Sequence, residues 1–516
     1  MKQLSSGAAI TTFAILGFLM FTVWSYWSKI CEVRVDEMLH LHDTWLISQG
    51  SLPYRDFFEH HACWYHFIMS PLASHYDPAS SSKTALEFIS IARKTSLWLT
   101  LSGLALVVWI GKLWRDWPTG IMAAVLLSGV PFFLETAIEI RPDVPAFVLW
   151  MGSLVLIGRQ LKTGASSTRD IQWSIFSGGV LLGAAIMFTQ KMLFGVPGLA
   201  ATLGLWVTTK RDTSFAARLH LVWQFALGLF LPTFFTWIYF LSHGAGFEFI
   251  DKVFLINARW AFRESPWILL EWFWHDSGIF LILFGVAMIL AVLKTITLRR
   301  IDWLEFLFFS IIAGWFIGLF WIIPVVDRQF YMIMLPPMAL VTAYALRQAS
   351  TFWPRCLQPV FWIGIFWFTT AEPLSTSQKR LTSIRGISPS LDLALWVIDQ
   401  TPRTATVLDG WTGVGVFRPQ AWYYGFIHRE IPLIINEHER AALIQDLRSG
   451  RRQPSIIVQD DKLLNLHSEL TPWVQQHYRL IPDRRLWARR IPNSQPVGTN
   501  QTTRPQNPQP PQNSDP

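Results

Sequence analysis

Short stretches of carboxylates and cations interrupt the long apolar runs of this chain. A carboxylate can take the proton of an attacking hydroxyl group, and a cation can bind phosphate or stabilise charge that develops on a leaving group. Both types occur beside apolar runs, at Asp36, Glu37, Arg141, Asp143, Gln190 and Lys191. Gathered in one cavity, they would suit deprotonation of a hydroxyl beside a bound phosphate.

Each of these residues also has a structural alternative. Arg141 and Asp143 are spaced as an ion pair, and Lys191 could anchor its helix at the membrane interface. His60 and His61 would be a poor metal pair on a helix, where adjacent residues do not face the same way. The further polar residues of these stretches are Asp56, Glu59, His60, His61, Arg93, Lys94, Glu139, Arg259, Arg263, Glu264, His275, Asp276, Asp327, Arg328, Gln329 and Tyr331.

The composition predicts an integral membrane protein. Of the 516 residues, 51% are hydrophobic and 15% are charged, whereas a soluble domain carries about 25% charged residues. The 28 tryptophans and 38 phenylalanines are typical of a chain with many membrane interfaces. The net charge of +8 does not indicate a nucleic-acid partner, because the basic residues lie between apolar runs rather than in one patch.

About eleven apolar runs approach the roughly 20 residues that a membrane-spanning helix needs. Lys and Arg gather in alternate short loops, so the positive-inside rule places the N-terminus in the cytoplasm and the polar stretches described above outside. The first run is expected to stay as an uncleaved span. The predicted spans lie at 8–29, 96–113, 118–135, 143–158, 173–190, 192–209, 220–242, 277–296, 303–323, 330–347 and 357–373.

These spans form a transmembrane domain that we place at 1–373, with long outer loops at 30–90 and 243–276. Residues 374–491 are expected to form a small extracytoplasmic α/β domain. Its predicted elements are helices at 388–400 and 437–447 and buried strands at 405–408 and 455–458. The Pro-, Asn- and Gln-rich tail at 492–516 is expected to be disordered.

Two further features of the sequence leave alternatives open. Cys31 and Cys63 fall on the same, oxidising side in this topology, so they could form a disulfide or stay separate thiols. The aromatic residues near 411–424 would either stack on sugar rings or pack onto the membrane domain. These residues are Trp411, Trp422, Tyr423 and Tyr424.

Several motifs resemble the membrane-embedded glycosyltransferases of the C superfamily, which includes protein O-mannosyltransferases and lipid A aminoarabinose transferases. The resemblance implies a sugar donor linked to polyprenyl phosphate and inversion at the anomeric carbon. It reaches to about residue 345 and rests on Val35-Asp36-Glu37, the stretch Gly50 to Glu59, Arg141-Pro142-Asp143, Gln190-Lys191 and the stretch Asp327 to Tyr331.

The resemblance also implies roles for individual residues. Asp36 would be the general base, with Glu37 and Asp143 as further acidic residues of the catalytic site. Arg141, Lys191 and either Arg93 or Lys94 would hold the phosphate. The remaining implied substrate-binding residues are Gln190, Glu59, His60, Asp327, Arg328 and Tyr331.

One motif departs from the aminoarabinose transferases. That group has Glu-Lys-Pro-Pro where this chain reads Glu59-His60-His61-Ala62. In that group the Glu helps to bind a metal ion and the Lys contacts phosphate, so a divalent metal at Glu59 is implied, with a histidine in place of the lysine. By chemistry alone, His61 and His275 are further candidate ligands.

Together these features predict an inverting glycosyltransferase of the plasma (inner) membrane. Its partners would be the lipid bilayer, a polyprenyl-phosphate-linked sugar donor and a glycan, lipid or protein acceptor of the cell envelope. A transporter or flippase for a lipid-linked substrate is one alternative, which would need ionisable residues deep within the spans and internal repeats. A non-catalytic scaffold whose outer domain binds a partner is the other.

Overall fold

The structure is a computed structural model that describes residues 6–163, 168–209, 214–259, 264–298, 301–322, 327–354, 356–367, 369, 375, 389–428, 430–482 and 484–490. The tail predicted to be disordered, Arg263 and most of residues 374–388 lie outside the described residues. Within them, a bundle of long helices carries a small α/β unit at one end.

The regular structure of the bundle is helical, with short 3-10 or π turns at Gln190–Gly195, Asp251–Leu255, Gly318–Ile322 and Arg328–Ile333, and residues 49–63 connect α2 and α3 without a helix. Side chains cap several helices: Asp116, for example, accepts a hydrogen bond from the N–H of Thr119. The helices are α1 (Ser6–Ile30), α2 (Val35–Ser48), α3 (Trp64–Tyr76), α4 (Ser82–Trp114), α5 (Trp117–Gly129), α6 (Pro131–Ile138), α7 (Asp143–Thr163), α8 (Thr168–Phe188), α9 (Val196–Thr209), α10 (Phe215–Ser242), α11 (Gly246–Ile250), α12 (Ile256–Ala258), α13 (Pro266–Leu298), α14 (Trp303–Ile317), α15 (Leu335–Ser350) and α16 (Gln358–Phe366).

Seven helices of the described residues are long and apolar enough to cross a membrane, and the bent pair α5 and α6 would make an eighth span. These eight coincide with eight of the predicted spans, and α1, α15 and α16 lie at the other three. The total of eleven stays a prediction. The outer faces of α10 and α13 expose apolar side chains such as Phe230, Phe234 and Ile289, which suits contact with lipid.

The span predicted at 118–135 is not straight. Helices α5 and α6 meet at a bend of 80°, because Pro131 opens α6 without an N–H to donate and Val130 before it is extended. The whole of α6 is buried. The bend therefore carries Glu135 into the protein interior and brings Glu139, just beyond α6, beneath the start of α7.

The two predicted outer loops are largely helical. Residues 30–90 contain α2, α3 and the first turns of α4, and residues 243–276 contain α11, α12 and the beginning of α13. Helix α13 bends at Ser277, whose backbone is not helical. Segments rich in polar residues were taken for loops because hydropathy identifies spans but not helices that pack on top of them.

Residues 389–490 form a mixed four-stranded sheet with flanking helices, in the order β1-β2-β4-β3. Strands β1 and β2 are parallel and the other pairs are antiparallel. Both predicted strands and both predicted helices are present, whereas β3 and β4 escaped prediction because they carry exposed charged residues. The elements are α17 (Pro389–Gln400), β1 (Val407–Leu408), α18 (Ile431–Ile434), α19 (Glu437–Arg448), β2 (Ile456–Val458), α20 (Asp461–Leu464), α21 (Leu470–His477), β3 (Tyr478–Ile481) and β4 (Leu486–Arg489).

The α/β unit is attached to the bundle by buried polar contacts. Arg418 is only 1% exposed, and one of its donors reaches the carbonyl oxygen of Ala79 before α4 at 3.0 Å. His42 of α2 contacts the carbonyl oxygen of Val416 at 3.0 Å. Gly413 has a φ of +80°, and a Cβ there would collide with Met38 of α2. The unit therefore packs directly on α2.

The cysteines are separate thiols. Cys31 and Cys63 are both buried and free, and the Sγ of Cys31 donates to the carbonyl oxygen of Trp27 at 2.8 Å. Of the two alternatives that the sequence left open, the disulfide is wrong.

We expect Gly183→Ala to lower the thermal stability of the purified protein. A Cβ at Gly183 of α8 would overlap the carbonyl oxygen of Leu229 in α10, and overpacking of this kind costs about 1–3 kcal/mol. The matched control is Gly204→Ala, which meets nothing within 4 Å in α9. Equal melting temperatures of the two variants would contradict the close approach of α8 and α10.

Candidate functional site

A cavity of 810 Å³ opens between the bundle and the α/β unit. Seven residues of the predicted site line it. They are Asp36, His60, His61, Arg141, Gln190, Lys191 and Asp327. Seven other residues of the predicted site, among them the candidate metal ligand His275, do not line the cavity. Those seven are Glu37, Glu59, Arg93, Asp143, Arg328, Tyr331 and His275.

The centre of the polar side is the pair Asp36 and Arg141. Asp36 lies in the first turn of α2, and its Oδ2 accepts a hydrogen bond from Nη2 of Arg141 at 2.5 Å. The side chain of Asp36 is 32% exposed and that of Arg141 is 7% exposed. Glu139 binds the Nε of Arg141 from the opposite side. The guanidinium is thus fixed between one buried carboxylate and one that faces the cavity.

The charge state of Asp36 follows from these neighbours. Burial acts to raise the pKa of Asp36, but Arg141 and Lys191 outweigh it and hold that pKa below its usual value. The carboxylate is therefore ionised at neutral pH. An ionised carboxylate that reaches a cavity can accept a proton from a bound hydroxyl group.

A second cation reaches the cavity through Lys191. Its Nζ lies 3.1 Å from Oδ1 of Asp143 and 5.4 Å from the centre of the Phe330 ring. Asp143, the first residue of α7, is only 1% exposed. It is placed to orient Lys191 and not to touch a substrate. Gln190 beside it donates to the carbonyl oxygen of His60 at 2.9 Å.

Glu37 and Arg93, predicted as catalytic and phosphate-binding residues, form a structural ion pair instead. Arg93 donates to both carboxylate oxygens of Glu37 and to the carbonyl oxygens of Ser28, Cys31 and Glu32. All five of its N–H groups are used, so none is left for phosphate.

The carboxylate of Glu37 is equally occupied. It accepts further hydrogen bonds from the backbone N–H groups of Arg34 and Ile140 and is fully buried. Burial acts to raise the pKa of Glu37, but Arg93 and these hydrogen bonds hold it below its usual value. The prediction that Glu37 is catalytic is wrong, because no lone pair of its carboxylate faces the cavity.

Three residues of the stretch Asp327 to Tyr331 are predicted to bind substrate, and one of these three lines the cavity. Asp327 lines the cavity and caps the following turn through the N–H of Arg328. Arg328 turns away and lies 3.1 Å from Oε2 of Glu135. Tyr331 is fully buried and donates to the carbonyl oxygen of Leu269 at 2.9 Å. Arg328 and Tyr331 therefore support the wall and do not bind substrate directly.

Glu59, His60 and His61 form a compact group at the cavity edge. They do not lie on a helix, and the centres of the two imidazole rings are 3.9 Å apart. The helical geometry that would separate the two histidines is therefore absent. Oε1 of Glu59 accepts from the N–H groups of His60 and His61 and lies 2.6 Å from Nδ1 of His61. Burial lowers the pKa of His60 well below its usual value, which keeps that imidazole neutral and able to bind a metal.

His275 does not join this group. Its side chain is 88% exposed, and its Nδ1 lies 3.6 Å from Asp276. Its prediction as a fellow ligand of Glu59 is therefore wrong. The metal-type groups among the described residues are Glu59, His60 and His61, and Asp43, Glu59 and His66.

Sequence reasoning missed two sets of site residues. Asp36, His40 and Asp43 follow one another at helical spacing along α2, a signal that could have been found. His40 lines the cavity, and Asp43 lies behind it beside Glu59. No sequence signal marks the second set, which comes from the α/β unit: His428, Glu430 and Lys462.

The four aromatic residues near 411–424 differ in whether they pack inside the protein or line the cavity. Trp422 and Tyr424 are buried, and Tyr423 donates from its hydroxyl to the carbonyl oxygen of Tyr54 at 2.6 Å. These three pack in the unit or against the bundle. Trp411 alone of the four lines the cavity.

Comparisons with known proteins place this fold. No protein family model matches the chain, and no curated protein matches it. Several solved structures are similar to it. The aminoarabinose transferase ArnT of Cupriavidus metallidurans, bound to undecaprenyl phosphate, aligns over 91% of this chain and 95% of its own, with a TM-score of 0.61 and 13% identity.

The archaeal oligosaccharyltransferase AglB of Archaeoglobus fulgidus is also similar. In complex with an inhibitory peptide and a dolichol-phosphate, it aligns over 92% of this chain and 75% of its own, with a TM-score of 0.55 and 11% identity. In complex with Zn and sulfate, the A. fulgidus enzyme aligns over 89% and 71%, with a TM-score of 0.52 and 12% identity. At these identities the likeness establishes a shared fold. The chain shares the polytopic membrane fold of these transferases, as the resemblance leads us to expect.

We expect Arg93→Met to destabilise the protein. It leaves Glu37 as a buried, unpaired charge, and breaking such a pair costs about 3–5 kcal/mol. The double variant Glu37→Gln/Arg93→Met removes both charges and keeps an acceptor oxygen for one of the two backbone N–H groups, so it should recover part of the loss. Melting temperature and monodispersity in detergent measure both effects. An Arg93→Met protein as stable as wild type would show that the pair is not structural.

Proposed function

We propose that this protein is an inverting glycosyltransferase that takes a sugar from a polyprenyl-phosphate carrier and transfers it to an acceptor of the cell envelope. The observation that carries the proposal is the set of charges on the cavity wall. One ionised carboxylate, Asp36, stands beside two cations, Arg141 and Lys191, that are each fixed from behind by a buried carboxylate. General base and phosphate site thus share one cavity.

The opposite wall of the cavity suits a lipid carrier. It is apolar and aromatic, and it is lined by Leu193, Phe194, Pro197, Ile317, Trp321 and Ile322. Ile317 and Trp321 are exposed on the surface of the bundle, so this wall continues to the face that meets lipid. A polyprenyl chain could lie along it with its phosphate at Lys191. ArnT and AglB, which share the fold, are bound to undecaprenyl phosphate and dolichol-phosphate.

The reaction follows from this arrangement. The acceptor hydroxyl gives its proton to Asp36 as its oxygen forms a bond to the anomeric carbon. The bond from that carbon to the carrier phosphate breaks, and the electron pair leaves with the polyprenyl phosphate. Lys191 and Arg141 stabilise the charge that develops on the leaving oxygen. Attack from the face opposite the phosphate inverts the anomeric centre.

The distribution of charge supports an outward-facing site. Arg115, Lys162, Lys294 and Arg347 cluster at the end of the bundle remote from Asp36, and Arg115 and Lys294 both bind Glu305. Basic residues of this kind mark the cytoplasmic side. We therefore place the N-terminus in the cytoplasm and the cavity and the α/β unit, residues 389–490, on the outer face of the plasma membrane. The acceptor would be an envelope glycan, lipid or protein.

The transporter alternative is weaker on one observation. The ionisable residues of the cavity cluster at one end of the bundle, whereas a lipid-substrate transporter binds near the middle of the membrane. The scaffold alternative predicts that Asp36 is dispensable, and the experiment on Asp36 decides it.

Glu59, His60 and His61 fit a divalent metal ion. One carboxylate oxygen and two imidazole nitrogens within 4.8 Å of one another form a ligand set of the kind that Zn²⁺ prefers. His60 and His61 line the cavity, which leaves a position open towards a substrate. A bound cation would add positive charge beside the phosphate or the sugar hydroxyls.

We expect Asp36→Asn to abolish transfer. Purified protein is supplied with radiolabelled undecaprenyl-phosphate hexose or pentose and with envelope extract, and label on acceptor or in water is measured. Loss of a general base lowers the rate by about 10²–10⁴-fold, while the melting temperature shows that the variant is folded.

Glu32→Gln is the matched control for this experiment. It changes a nearby acid that does not line the cavity, and it should keep wild-type activity. If folded Asp36→Asn transfers sugar as fast as wild type, the assignment of the base is wrong and the scaffold alternative gains.

We expect His61→Ala to reduce the Zn²⁺ that the purified protein retains after dialysis, measured by plasma mass spectrometry. Even loss of a group that only supports a ligand weakens metal binding by about 10–100-fold. The control His275→Ala removes an exposed histidine and should retain wild-type Zn²⁺. Wild-type protein that retains none, or equal losses in both variants, would overturn the metal proposal.

A further inference from the structure

One wall of the cavity comes from the α/β unit. Trp411, His428, Glu430 and Lys462 all line it, although they are far from Asp36 in the chain. The His428 ring is 4.9 Å from that of His60 and 5.5 Å from that of Trp411. The unit therefore closes the cavity on the side of Glu59 and His60, away from the apolar wall.

Asp460 holds two residues of this wall in a fixed arrangement. Its Oδ2 accepts the N–H of Trp411 at 2.6 Å, and its Oδ1 accepts the N–H of Lys462 at 3.3 Å. A Cβ at residue 410 would overlap Oδ2 of Asp460, so Gly410 is required for this close approach. One half-buried carboxylate thus fixes the relative position of the backbones that carry Trp411 and Lys462.

A second hollow continues from Lys462 along the surface of the unit. It has a volume of 270 Å³ and is lined by Pro432, Arg440, Asp461, Lys462, Asn465 and Leu466. Because Lys462 lines both spaces, the hollow adjoins the cavity at that side chain. Nη2 of Arg440 donates to the carbonyl oxygen of Pro432 at 2.5 Å, while its Nε is buried without a hydrogen-bond partner among the described residues.

We propose that Trp411, Lys462 and Arg440 mark an acceptor subsite that runs from the cavity onto the α/β unit, and that its occupant is a glycan chain. The inference rests on the proposed function and names the class of acceptor. Asp36 lies at the inner end of the path, so the hydroxyl to be glycosylated reaches the base while the rest of the chain extends past Lys462 into the hollow.

The chemistry of the path favours a glycan over a polypeptide. Sugar rings present apolar faces, which an aromatic ring such as Trp411 can cover, and hydroxyl groups that both donate and accept. The hollow supplies both kinds of partner, donors at Arg440 and Lys462 and an acceptor at Asp461. Peptides are bound by adding a strand to a sheet edge or by placing side chains in apolar grooves. No strand of the described sheet lines either space.

The test uses the full-length protein, labelled undecaprenyl-phosphate sugar and two acceptor fractions from the same envelopes. One is glycan freed of protein by protease, and the other is envelope protein stripped of glycan. Trp411→Ala and Arg440→Ala are each expected to raise the glycan concentration for half-maximal transfer about tenfold, the ratio that corresponds to loss of one good contact. The ratio of transfer to donor hydrolysis should fall with it.

The matched controls lie on the same unit outside both spaces. Trp396→Ala removes a half-buried tryptophan of α17, and Arg451→Ala removes an exposed arginine after α19. Both should keep the wild-type half-saturating concentration, and melting temperatures confirm that all four variants are folded.

The outcomes separate this inference from the proposed function. If wild type neither transfers nor hydrolyses the donor, the proposed function fails. If it does, but glycan-free protein is the better acceptor, the glycan assignment is overturned. If glycan is the acceptor and both wall variants match the controls, the subsite is not where we place it.

Discussion

The site depends on one guanidinium that is held between two carboxylates. Arg141 is almost fully buried, and a buried charge is stable only when it is paired and hydrogen-bonded. Glu139 supplies one partner from behind, with Arg34 at 2.8 Å on its other oxygen, and Asp36 supplies the other at the cavity. Without Glu139, Arg141 would have no reason to stay at the wall. Without Arg141, the effect of burial on Asp36 would be less opposed, so the pKa of Asp36 would rise and its ionised form would be less favoured.

The same logic explains why neighbouring acids differ in role. Asp36 and Glu37 are adjacent on α2, but consecutive residues of a helix point in directions about 100° apart. Glu37 therefore faces inward to Arg93 and fixes the start of α2 to α4, whereas Asp36 faces the cavity. Asp143 and Lys191 differ in role in the same way, because the buried carboxylate of Asp143 positions the cation of Lys191, which a substrate would contact. Buried ion pairs here set geometry, and their outer members carry the chemistry.

Hydropathy and loop charge were enough to predict the membrane fold, the positions of the long helices and the cluster of polar residues at one end. The interaction partners of these polar residues could not be predicted. Contacts such as that of Glu37 with Arg93 join residues 56 positions apart, and no local sequence pattern indicates them. Taking residues 30–90 for a loop concealed α2, and with it the face shared by Asp36 and His40. His60 and His61 are predicted separately as a substrate-binding residue and a candidate metal ligand, and their pairing is disfavoured only for a helix, which is absent at that position. Lys462 belongs to no motif, and its place at the cavity beside Trp411 depends on the contacts of Asp460 with both backbones.

Helix α2 links the two halves of the site. One face carries Asp36 and His40 to the cavity, and another carries Met38 against Gly413 and His42 against the carbonyl oxygen of Val416. The base and the wall of the α/β unit are therefore positioned by the same 14-residue helix. Because α2 is itself fixed to α4 by Glu37 and Arg93, any shift of the helix would move the base and the wall together. The distance between them is then an internal property of the fold, which is what a transferase needs if it is to place one hydroxyl of a long acceptor beside its base.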